Sequence, residues 1–444
     1  MSVPSDKGLP VAGSRLARLA IMGSLASGVA GGMMAEGVRR IARGERPALG
    51  DMLLTPGNAR RVVDGLSRLR GAAMKVGQLL SMDAGDILPP ELTAILAALR
   101  AEARPMPMSQ VVAVLEAGWG SGWDGRFERF SFTPLAAASI GQVHLARLRD
   151  GRQVAVKIQY PGVRASIDSD IDNVVSLLRV SGLLPQGLDL APLLDEARAQ
   201  LHAEADYRRE AGHIATFRAL LGDTPGFVLP EVIEALSGDD ILCMTFVPGA
   251  PVESVAGCPP DERDRVVGRL FTLLFRELFE FGLVQSDPNF ANYRYDAATG
   301  ALGLLDFGAT RAYGPPIVAA YRDLMAAGMA GEHAAVEAAA LRIGYFHGDL
   351  PPRHRAGLVD LFMAACEPLR HDGPFDFGRS DLAARISEAG MALGRQRDFR
   401  HAPPADALFL HRKMGGLYLL AARLGARVDV PALFRAHVPG VVPA

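Results

Sequence analysis

The chain has few cysteines, little net charge and few lysines. The first two shortages exclude certain kinds of site and partner, and the third draws attention to the lysines that remain. Its three cysteines are odd in number and far apart, which argues against a disulfide framework or a cysteine-based zinc site and favours a reducing compartment. A net charge of -2, with no basic cluster, argues against nucleic acid as a partner. With 49% hydrophobic residues, the 444-residue chain can still bury a substantial core.

Lysine is the scarcest of the basic residues. Of 47 lysines and arginines only four are lysine, at Lys7, Lys75, Lys157 and Lys413, so arginine serves wherever a plain positive charge suffices. A lysine that remains can mark a place that needs a compact ammonium group and does not fit a planar guanidinium. The sequence around Lys75 and Lys157 supports this interpretation, whereas Lys7 lies in a polar N-terminus.

Long apolar runs are absent, apart from one weakly hydrophobic stretch near the N-terminus. Seventeen uncharged residues, rich in Gly and Ala, separate Arg18 from Glu36. This run is at the short limit for a bilayer span. Three roles are therefore compatible with it: contact with a membrane, pairing with another helix, or packing on the same protein. Ser24, Gly28 and Gly32 recur at the spacing that lets two helices approach closely, which makes a homodimer one expected assembly. The first 15 residues show no secretory or transit pattern.

The remaining pattern predicts an α+β chain in which a short sheet precedes a mostly helical half. The predicted elements are a helical region at 51–118, strands at 127–132, 142–148 and 153–159, helices near 165–181 and 190–221, and strands in FVLPEVIEA and DILCMTFV. From Pro248 onward the pattern is helical except for a motif region at 285–310, which indicates two lobes and a hinge at 247–249. The predicted segments are a tail and Gly/Ala-rich helix (1–50), a helical extension (51–125), an N-lobe (126–247) and a C-lobe (248–444).

One lysine lies inside a strand-like stretch, VAVKIQ. Alternate side chains of a strand share a face, so Lys157 lies on the face of Ala155, where its charge is costly to bury without a partner. In protein kinases a strand with Val-Ala-x-Lys carries a lysine that reaches the α- and β-phosphates and pairs with a helical glutamate. An edge-strand lysine that reaches solvent is the alternative.

Two further motifs follow in the order that kinases use. In QSDPNFANYRY, Asp287 and Asn292 are separated by four residues as in the kinase catalytic loop, although Gln285-Ser286 replaces the usual His-Arg. In LGLLDFGATR, Asp306 begins Asp-Phe-Gly and offers the carboxylate oxygen that Mg²⁺ prefers. Each motif alone is common, but their order and spacing after the lysine strand predict a site for Mg²⁺ and ATP.

Two standard parts of a protein kinase are missing from the sequence. The glycine-rich loop is replaced by PLAAASIGQVHLA, with Ala136, Ala137, Ala138 and Ser139 at the predicted turn. Alanine adopts positive φ less readily than glycine, so we expect a stiffer loop that binds phosphates differently. No Ala-Pro-Glu follows Gly308, so the segment on which a kinase rests a peptide substrate is lacking.

These features together resemble the UbiB, or AarF-domain, family of atypical kinases, in particular its coenzyme Q-associated branch. The likeness runs from about Arg15 to HRKMGG at 411–416. Two more family motifs are GAAMKVGQLLS, with Lys75, Gly77 and Gln78, and HAEADYRREA, with Glu204, Asp206 and Glu210.

The resemblance implies a protein-kinase-like two-lobed fold, with a small antiparallel-sheet N-lobe that carries a helical insertion, a mostly helical C-lobe and an N-terminal helical extension. Mg-ATP would bind in the interlobe cleft. The implied roles are phosphate binding by Lys157 paired with Glu210, Mg²⁺ binding by Asp306 and Asn292, the base position for Asp287, nucleotide contact by residues 136–139, and a regulatory contact of Lys75, Gly77 and Gln78 with Glu204 and Asp206.

The resemblance also implies ATP hydrolysis in support of ubiquinone biosynthesis, rather than phosphorylation of other proteins. Expected partners are ATP or ADP, an anionic lipid or quinone precursor, and other ubiquinone-biosynthesis proteins. The expected location is bacterial, cytoplasmic and peripheral to the inner membrane. Two alternatives stay open, because a missing peptide platform also suits a small-molecule or lipid kinase and the altered catalytic loop suits a non-catalytic scaffold that binds nucleotide.

Overall fold

The chain divides into two compact units. Unit 1 comprises residues 1–212 and 231–246, and unit 2 comprises residues 213–230 and 247–444. The computed structural model describes residues 23, 27–28, 31–40, 42–43, 105–180, 191–222, 224–287, 289–346, 350–394 and 404–438. Most of the predicted extension, including Lys75, Gly77 and Gln78, lies outside the described residues, and the predicted four-segment division stays a prediction.

Both units contain strands and helices, numbered in chain order. The strands are β1 (Phe127–Ala137), β2 (Gly141–Leu148), β3 (Gln153–Gln159), β4 (Phe227–Val228), β5 (Ile241–Thr245), β6 (Ala250–Pro251), β7 (Leu283–Gln285), β8 (Tyr293–Asp296), β9 (Ala301–Leu304), β10 (Thr310–Ala312), β11 (Phe375–Asp376) and β12 (Arg427–Val428). After a helical stretch at 31–40, the α-helices are α1 (Met108–Trp119), α2 (Val163–Val180), α3 (Ala191–Glu204), α4 (Tyr207–Leu221), α5 (Pro260–Phe275), α6 (Pro315–Ala330), α7 (His333–Ile343), α8 (Pro352–Ala365), α9 (Glu367–Arg370), α10 (Leu382–Gly394), α11 (Ala405–Leu424) and α12 (Val430–His437).

Unit 1 is built on an antiparallel sheet in the order β1–β2–β3–β5. The alternation of β3 and its position inside the sheet bury Val154, Val156 and Ile158 completely. At one end of the sheet the Trp119 ring of α1 packs 5.3 Å from that of Phe127, and its Nε1 donates to the carbonyl of Leu236 at 3.1 Å. These contacts fix α1 to the sheet.

The turn between β1 and β2 is shorter than the sequence predicts. Ala136 and Ala137 are paired with β2, so the prediction that they lie at the turn is wrong. The turn begins at Ala138, whose N–H donates to the carbonyl of Gly141 at 2.8 Å, and contains Ser139. Alanine is not a typical strand residue, so the local sequence favours a turn here, and the pairing with β2 that overrides this preference cannot be read from one segment alone.

Gly141 allows β2 to lie close to β3. A Cβ atom at this position would collide with the carbonyl oxygen of Ile158 and lie 3.0 Å from the hydroxyl of Tyr207. Only glycine lacks that atom, so the start of β2 can pack directly against both the neighbouring strand and α4.

The predicted single helix at 190–221 is instead two helices, α3 and α4. Asp206 lies between them, and its Oδ1 accepts a hydrogen bond from the backbone N–H of Arg209 at 3.0 Å. This contact satisfies one of the backbone donors that a helix start leaves without a partner. The break was missed because apolar residues at helical spacing continue on both sides of Asp206.

Unit 2 combines helices with short strand pairs. A sheet has the order β4–β9–β8–β6, β7 pairs with β10, and β11 pairs with β12. The prediction that residues after Pro248 are helical outside 285–310 is therefore wrong at β6, β11 and β12. The predicted strand in FVLPEVIEA is reduced to β4. Strands of two residues are too short to produce a periodic pattern.

The central helix of unit 2 changes its winding near the predicted site. α5 starts at Pro260, buries Phe271 and Leu274, and continues directly into a π-helical segment, Arg276–Phe281. Gly282, in the left-handed conformation with φ 60°, ends this segment before β7. π-helical segments are rare and occur often at functional sites, and this one contains the buried Glu277.

No helix among the described residues combines the length and the hydropathy needed to cross a bilayer. Two residues of the predicted small-residue pattern, Gly28 and Gly32, are helical. Ser24 lies outside the described residues.

Candidate functional site

The first group of predicted site residues lies in unit 1, where β3 and α4 bring a lysine and a glutamate together. Lys157 Nζ donates to Glu210 Oε1 at 2.9 Å and to Oε2 at 2.8 Å. The lysine is 7% exposed and the glutamate 1%. The ring of Tyr207 lies 5.2 Å from the same ammonium group. Because a buried charge is costly without a bonded partner, each of these two side chains holds the other in place.

The alanine-rich turn is joined to the end of α3. Ser139 Oγ donates a hydrogen bond to Glu204 Oε2, while Asp206 caps α4. Both carboxylates of the predicted Glu-x-Asp motif thus have structural partners in unit 1. Their contact with Lys75 and Gln78 stays a prediction, since those two residues lie outside the described part of the chain.

The second group lies in unit 2, on two loops between neighbouring strand pairs. The Asp-Asn loop (residues 286–292) joins β7 to β8, and the Asp-Phe-Gly loop (residues 305–309) joins β9 to β10. Because β7 pairs with β10 and β8 with β9, the two loops leave the strands side by side. Ser286 bonds them directly, since its Oγ and its backbone N–H donate to the carbonyl of Ala309 at 2.6 Å and 3.2 Å.

Asp287 and Asn292 contact each other across the Asp-Asn loop. Asn292 Nδ2 donates to Asp287 Oδ2 at 2.9 Å, and the backbone N–H of Asn289 donates to Oδ1 at 3.2 Å. With its amide nitrogen bonded to Asp287, Asn292 presents its amide oxygen as the group suited to a cation. Both side chains are half-buried.

Asp306 lies beside these residues. The N–H of Leu305 donates to the carbonyl of Asn292 at 3.0 Å, and Asp306 Oδ1 accepts from the N–H of Gly308 at 2.9 Å. The next residue, Phe307, is 1% exposed and packs 4.9 Å from the ring of Phe217. The buried ring anchors the Asp-Phe-Gly loop, so the carboxylate of Asp306 is held near the amide of Asn292.

The donor set of unit 2 fits magnesium. Across the described ranges, no group of three or more His, Cys, Asp or Glu side chains is arranged to hold a metal ion. Mg²⁺ typically takes one or two protein oxygens and completes its octahedron with water and phosphate oxygens. The carboxylate of Asp306 and the amide oxygen of Asn292 match that requirement.

A small cavity of about 10 Å³ adjoins this group. Its lining includes Glu277, Gln285, Asn292, Tyr293 and Asp306. Gln285 Nε2 is buried and has no acceptor within the described residues. The cavity is about the size of one water molecule and its lining also includes Leu273, Leu304 and Phe307, so it is far too small for a nucleotide.

The sequence likeness to known proteins decides the family. A sequence model described as the ABC1 atypical kinase-like domain matches residues 98–340. The chain belongs to this family. The atypical kinase COQ8 (mitochondrial) of Saccharomyces cerevisiae is 36% identical over 425 residues, which cover 95% of this chain and 84% of the relative. The atypical kinase COQ8B (mitochondrial) of Rattus norvegicus is 38% identical over 427 residues, with 96% and 80% covered.

A solved structure supports the fold of this atypical kinase. Rv3197 of Mycobacterium tuberculosis, determined in complex with erythromycin, superposes with a TM-score of 0.61 at 28% identity and covers 85% of this chain and 95% of its own. The predicted UbiB-type membership and protein-kinase-like fold are confirmed, with the antiparallel sheet in unit 1. The chain is a kinase-like phosphotransferase by family.

Sequence reasoning missed a second buried lysine–glutamate pair in this atypical kinase. Lys413 of α11 donates to Glu277 Oε2 and to the backbone carbonyl of Gln285, the latter at 2.8 Å. Burial raises the pKa of Glu277 and lowers the pKa of Lys413, while the attraction between the two charges opposes both shifts. The scarcity of lysine was the signal that could have found this pair.

Proposed function

We propose that this chain binds Mg-ATP and hydrolyses it in support of ubiquinone biosynthesis, as a UbiB-type atypical kinase. Membership of the ABC1 family and the likeness to proteins named atypical kinase COQ8 support the kinase-like part. The resemblance of the motifs to the coenzyme Q-associated branch supports the ubiquinone part. ADP, an anionic lipid or quinone precursor, and other proteins of that pathway are the proposed partners.

The observation that carries the proposal is the side-by-side arrangement of two loops whose motifs are separate in the sequence. It brings together the carboxylates of Asp287 and Asp306 and the amide of Asn292, three oxygen-bearing groups of the kind that Mg-ATP chemistry uses. The paired Lys157 and Glu210 of unit 1 support the same assignment, because a held ammonium group is suited to phosphate oxygens.

The proposed roles follow from these contacts. Lys157, oriented by Glu210, would bind the α- and β-phosphates, and residues 136–139 would lie along the nucleotide. Asp306 and Asn292 would hold Mg²⁺, which when bound neutralises the charge of the phosphates. Asp287, oriented by the amide of Asn292, would accept a hydrogen bond from the attacking nucleophile.

Further proposals come from the resemblance. Lys75, Gly77 and Gln78 would regulate the site through Glu204 and Asp206. The four predicted segments, 1–50, 51–125, 126–247 and 248–444, would act as domains. The protein would lie on the cytoplasmic side of a bacterial inner membrane, bound peripherally, and could pair as a homodimer.

The assignment of magnesium ligands is tested with Asp306→Asn. We expect the Mg²⁺-dependent affinity for ATP to fall by roughly tenfold or more, because an anionic ligand of a hard cation is replaced by a neutral one. Titration of the purified protein with a fluorescent ATP analogue, with Mg²⁺ and with EDTA, measures the change. Asp296→Asn, in the hairpin between β8 and β9, is the matched control. An unchanged Mg²⁺-dependent affinity in Asp306→Asn removes this assignment.

One observation favours a second candidate, a small-molecule or lipid kinase. Among the described residues, α6 begins at Pro315, soon after the Asp-Phe-Gly loop, and leaves little chain on which a peptide could rest. Incubation of the pure protein with ATP, anionic liposomes and a phenolic quinone precursor separates the outcomes. Free phosphate indicates hydrolysis, and a phosphorylated lipid or precursor indicates transfer. A scaffold predicts neither, and predicts that Asp287→Asn leaves cellular function intact.

A further inference from the structure

We propose that Lys413 and Glu277 form a positioning pair for the Asp-Asn loop, which they hold through the backbone carbonyl of Gln285. The proposal concerns residues outside the three motifs of the nucleotide site. It rests on the proposed function to the extent that two of its readouts, ATP turnover and Mg-ADP affinity, require nucleotide binding.

The contacts of Lys413 join α11 to Gln285, the residue that immediately precedes the Asp-Asn loop. Its ammonium group is shared between the carboxylate of Glu277 and the carbonyl of Gln285, which is the last residue of β7 and lies two positions before Asp287. A bond to a backbone carbonyl fixes the peptide group itself. The path of the chain into Asp287 is therefore determined by where α11 and the π-helical segment place these two side chains.

The other end of the Asp-Asn loop is also bonded to Gln285. Tyr293, the first residue of β8, donates from its hydroxyl to Gln285 Oε1 at 3.2 Å. Gln285 is also the register partner of Thr310, directly after the Asp-Phe-Gly loop. Both ends of the Asp-Asn loop and one end of the Asp-Phe-Gly loop thus meet at Gln285, which is the residue that Lys413 holds.

Stability alone does not account for a charged pair at this place. Lys413 is 7% exposed and Glu277 1%, and burying two charges costs so much that apolar residues of similar volume often stabilise a protein as well or better. The lysine is also one of only four in a chain that otherwise uses arginine. A compact ammonium group can bond a carboxylate and a carbonyl in a confined space, whereas the five donors of a guanidinium group need more acceptors.

Two variants separate positioning from packing. Lys413→Met leaves the carboxyl group of Glu277 buried without its partner, so we expect it to lower stability as well as turnover. The double variant Lys413→Met with Glu277→Leu removes both charges, and we expect its urea midpoint to return close to the wild-type value. The carbonyl of Gln285 still lacks its donor in the double variant. Arg370→Met is the matched control, because it removes a cation that donates to the carbonyls of Gly328 and Met363 elsewhere in unit 2.

Full-length protein is assayed for ATP turnover, for Mg-ADP affinity and for amide hydrogen exchange at residues 285–292. In the double variant we expect turnover to be lower by about tenfold or more, because a small misplacement of a reacting group is enough for such a loss, with affinity within roughly threefold of wild type. Exchange in the Asp-Asn loop should be faster by about tenfold while exchange in β9 is unchanged. Arg370→Met should match wild type in turnover, in Mg-ADP affinity and in hydrogen exchange of the Asp-Asn loop.

Recovery of turnover together with stability in the double variant would show that the pair only packs, and would overturn the proposal. Unchanged hydrogen exchange in the Asp-Asn loop would overturn it as well. If wild type neither binds nor hydrolyses ATP, the proposed function fails, and the hydrogen-exchange comparison still decides whether the pair positions the loop.

Discussion

Each unit contains a buried lysine–glutamate pair. In both pairs a buried ammonium group needs a bonded counter-charge, but the hydrogen bonds of the two ammonium groups differ. Lys157 in unit 1 donates to both oxygens of Glu210, whereas Lys413 in unit 2 is shared between Glu277 and a backbone carbonyl. An ammonium group held by a side chain can turn toward a phosphate when a ligand arrives. An ammonium group bonded to the backbone holds a loop. The same two residue types can therefore serve ligand binding in one place and loop geometry in another.

The largest effect is expected when the carboxylate of either pair is removed. Glu210→Leu and Glu277→Leu should each lower the free energy of unfolding by about 3–5 kcal/mol, because each leaves a buried ammonium group without its counter-charge. Only Glu210→Leu should also abolish Mg-ATP binding. Urea unfolding and nucleotide titration of both variants measure the two effects. Equal losses of Mg-ATP affinity in the two variants would contradict the assignment of ligand binding to the first pair and loop geometry to the second.

A smaller, pH-dependent effect comes from His411, two positions before Lys413 on α11. Burial lowers the pKa of His411 to about 4, and its ring stacks 4.9 Å from that of Tyr345. The unfolded chain takes up this proton near pH 6.5, so stability present above that pH is lost as the pH falls toward 4. Where Lys413 is charged and paired, His411 is neutral and needs no counter-charge.

Between pH 7 and pH 5 we expect His411 to contribute a loss of about 2 kcal/mol in the free energy of unfolding. Urea unfolding of wild type and of His411→Phe at both pH values isolates this contribution, because other groups titrate alike in the two proteins. The loss should be smaller by that amount in the variant. An identical loss in both proteins would contradict the burial of a neutral imidazole.

The smallest effect concerns the start of α4, the helix that carries Glu210. Asp206→Ala should lower the free energy of unfolding by about 1 kcal/mol through loss of the cap, whereas Asp206→Asn should retain most of it. Urea unfolding compares the two. α11, which carries Lys413, begins at Ala405 with Pro404 at its N-cap position and no side-chain cap, so the capping contribution belongs to the first pair alone. Equal losses in both variants would refute the capping role.

The sequence could predict those elements and motifs that are defined by residues close together in the chain. β3 lies at the predicted residues 153–159, since its apolar alternation and the turn at Gly151, with φ 89°, are both local signals. The Asp-x-x-x-x-Asn and Asp-Phe-Gly motifs are recognisable for the same reason. The family resemblance, rather than composition, supplied the kinase-like fold.

Contacts between distant residues could not be predicted in this way. Lys413 and Glu277 are 136 positions apart, and neither has a neighbouring motif that names the other. The bond of Ser139 to Glu204 likewise joins two elements whose local patterns are independent. Local periodicity also cannot separate a continuous helix from two helices with a capped break at Asp206.

The π-helical segment at Arg276–Phe281 makes the number of residues in this stretch matter as much as their identity. A π turn accommodates one residue more than an α turn, and each residue of an α-helix turns the chain by about 100°. Loss of one residue would let α5 run on as an ordinary helix and would rotate Glu277 away from Lys413, although every side chain in the pair was still encoded. A deletion in this stretch is therefore expected to separate the two charged groups even though neither residue is substituted.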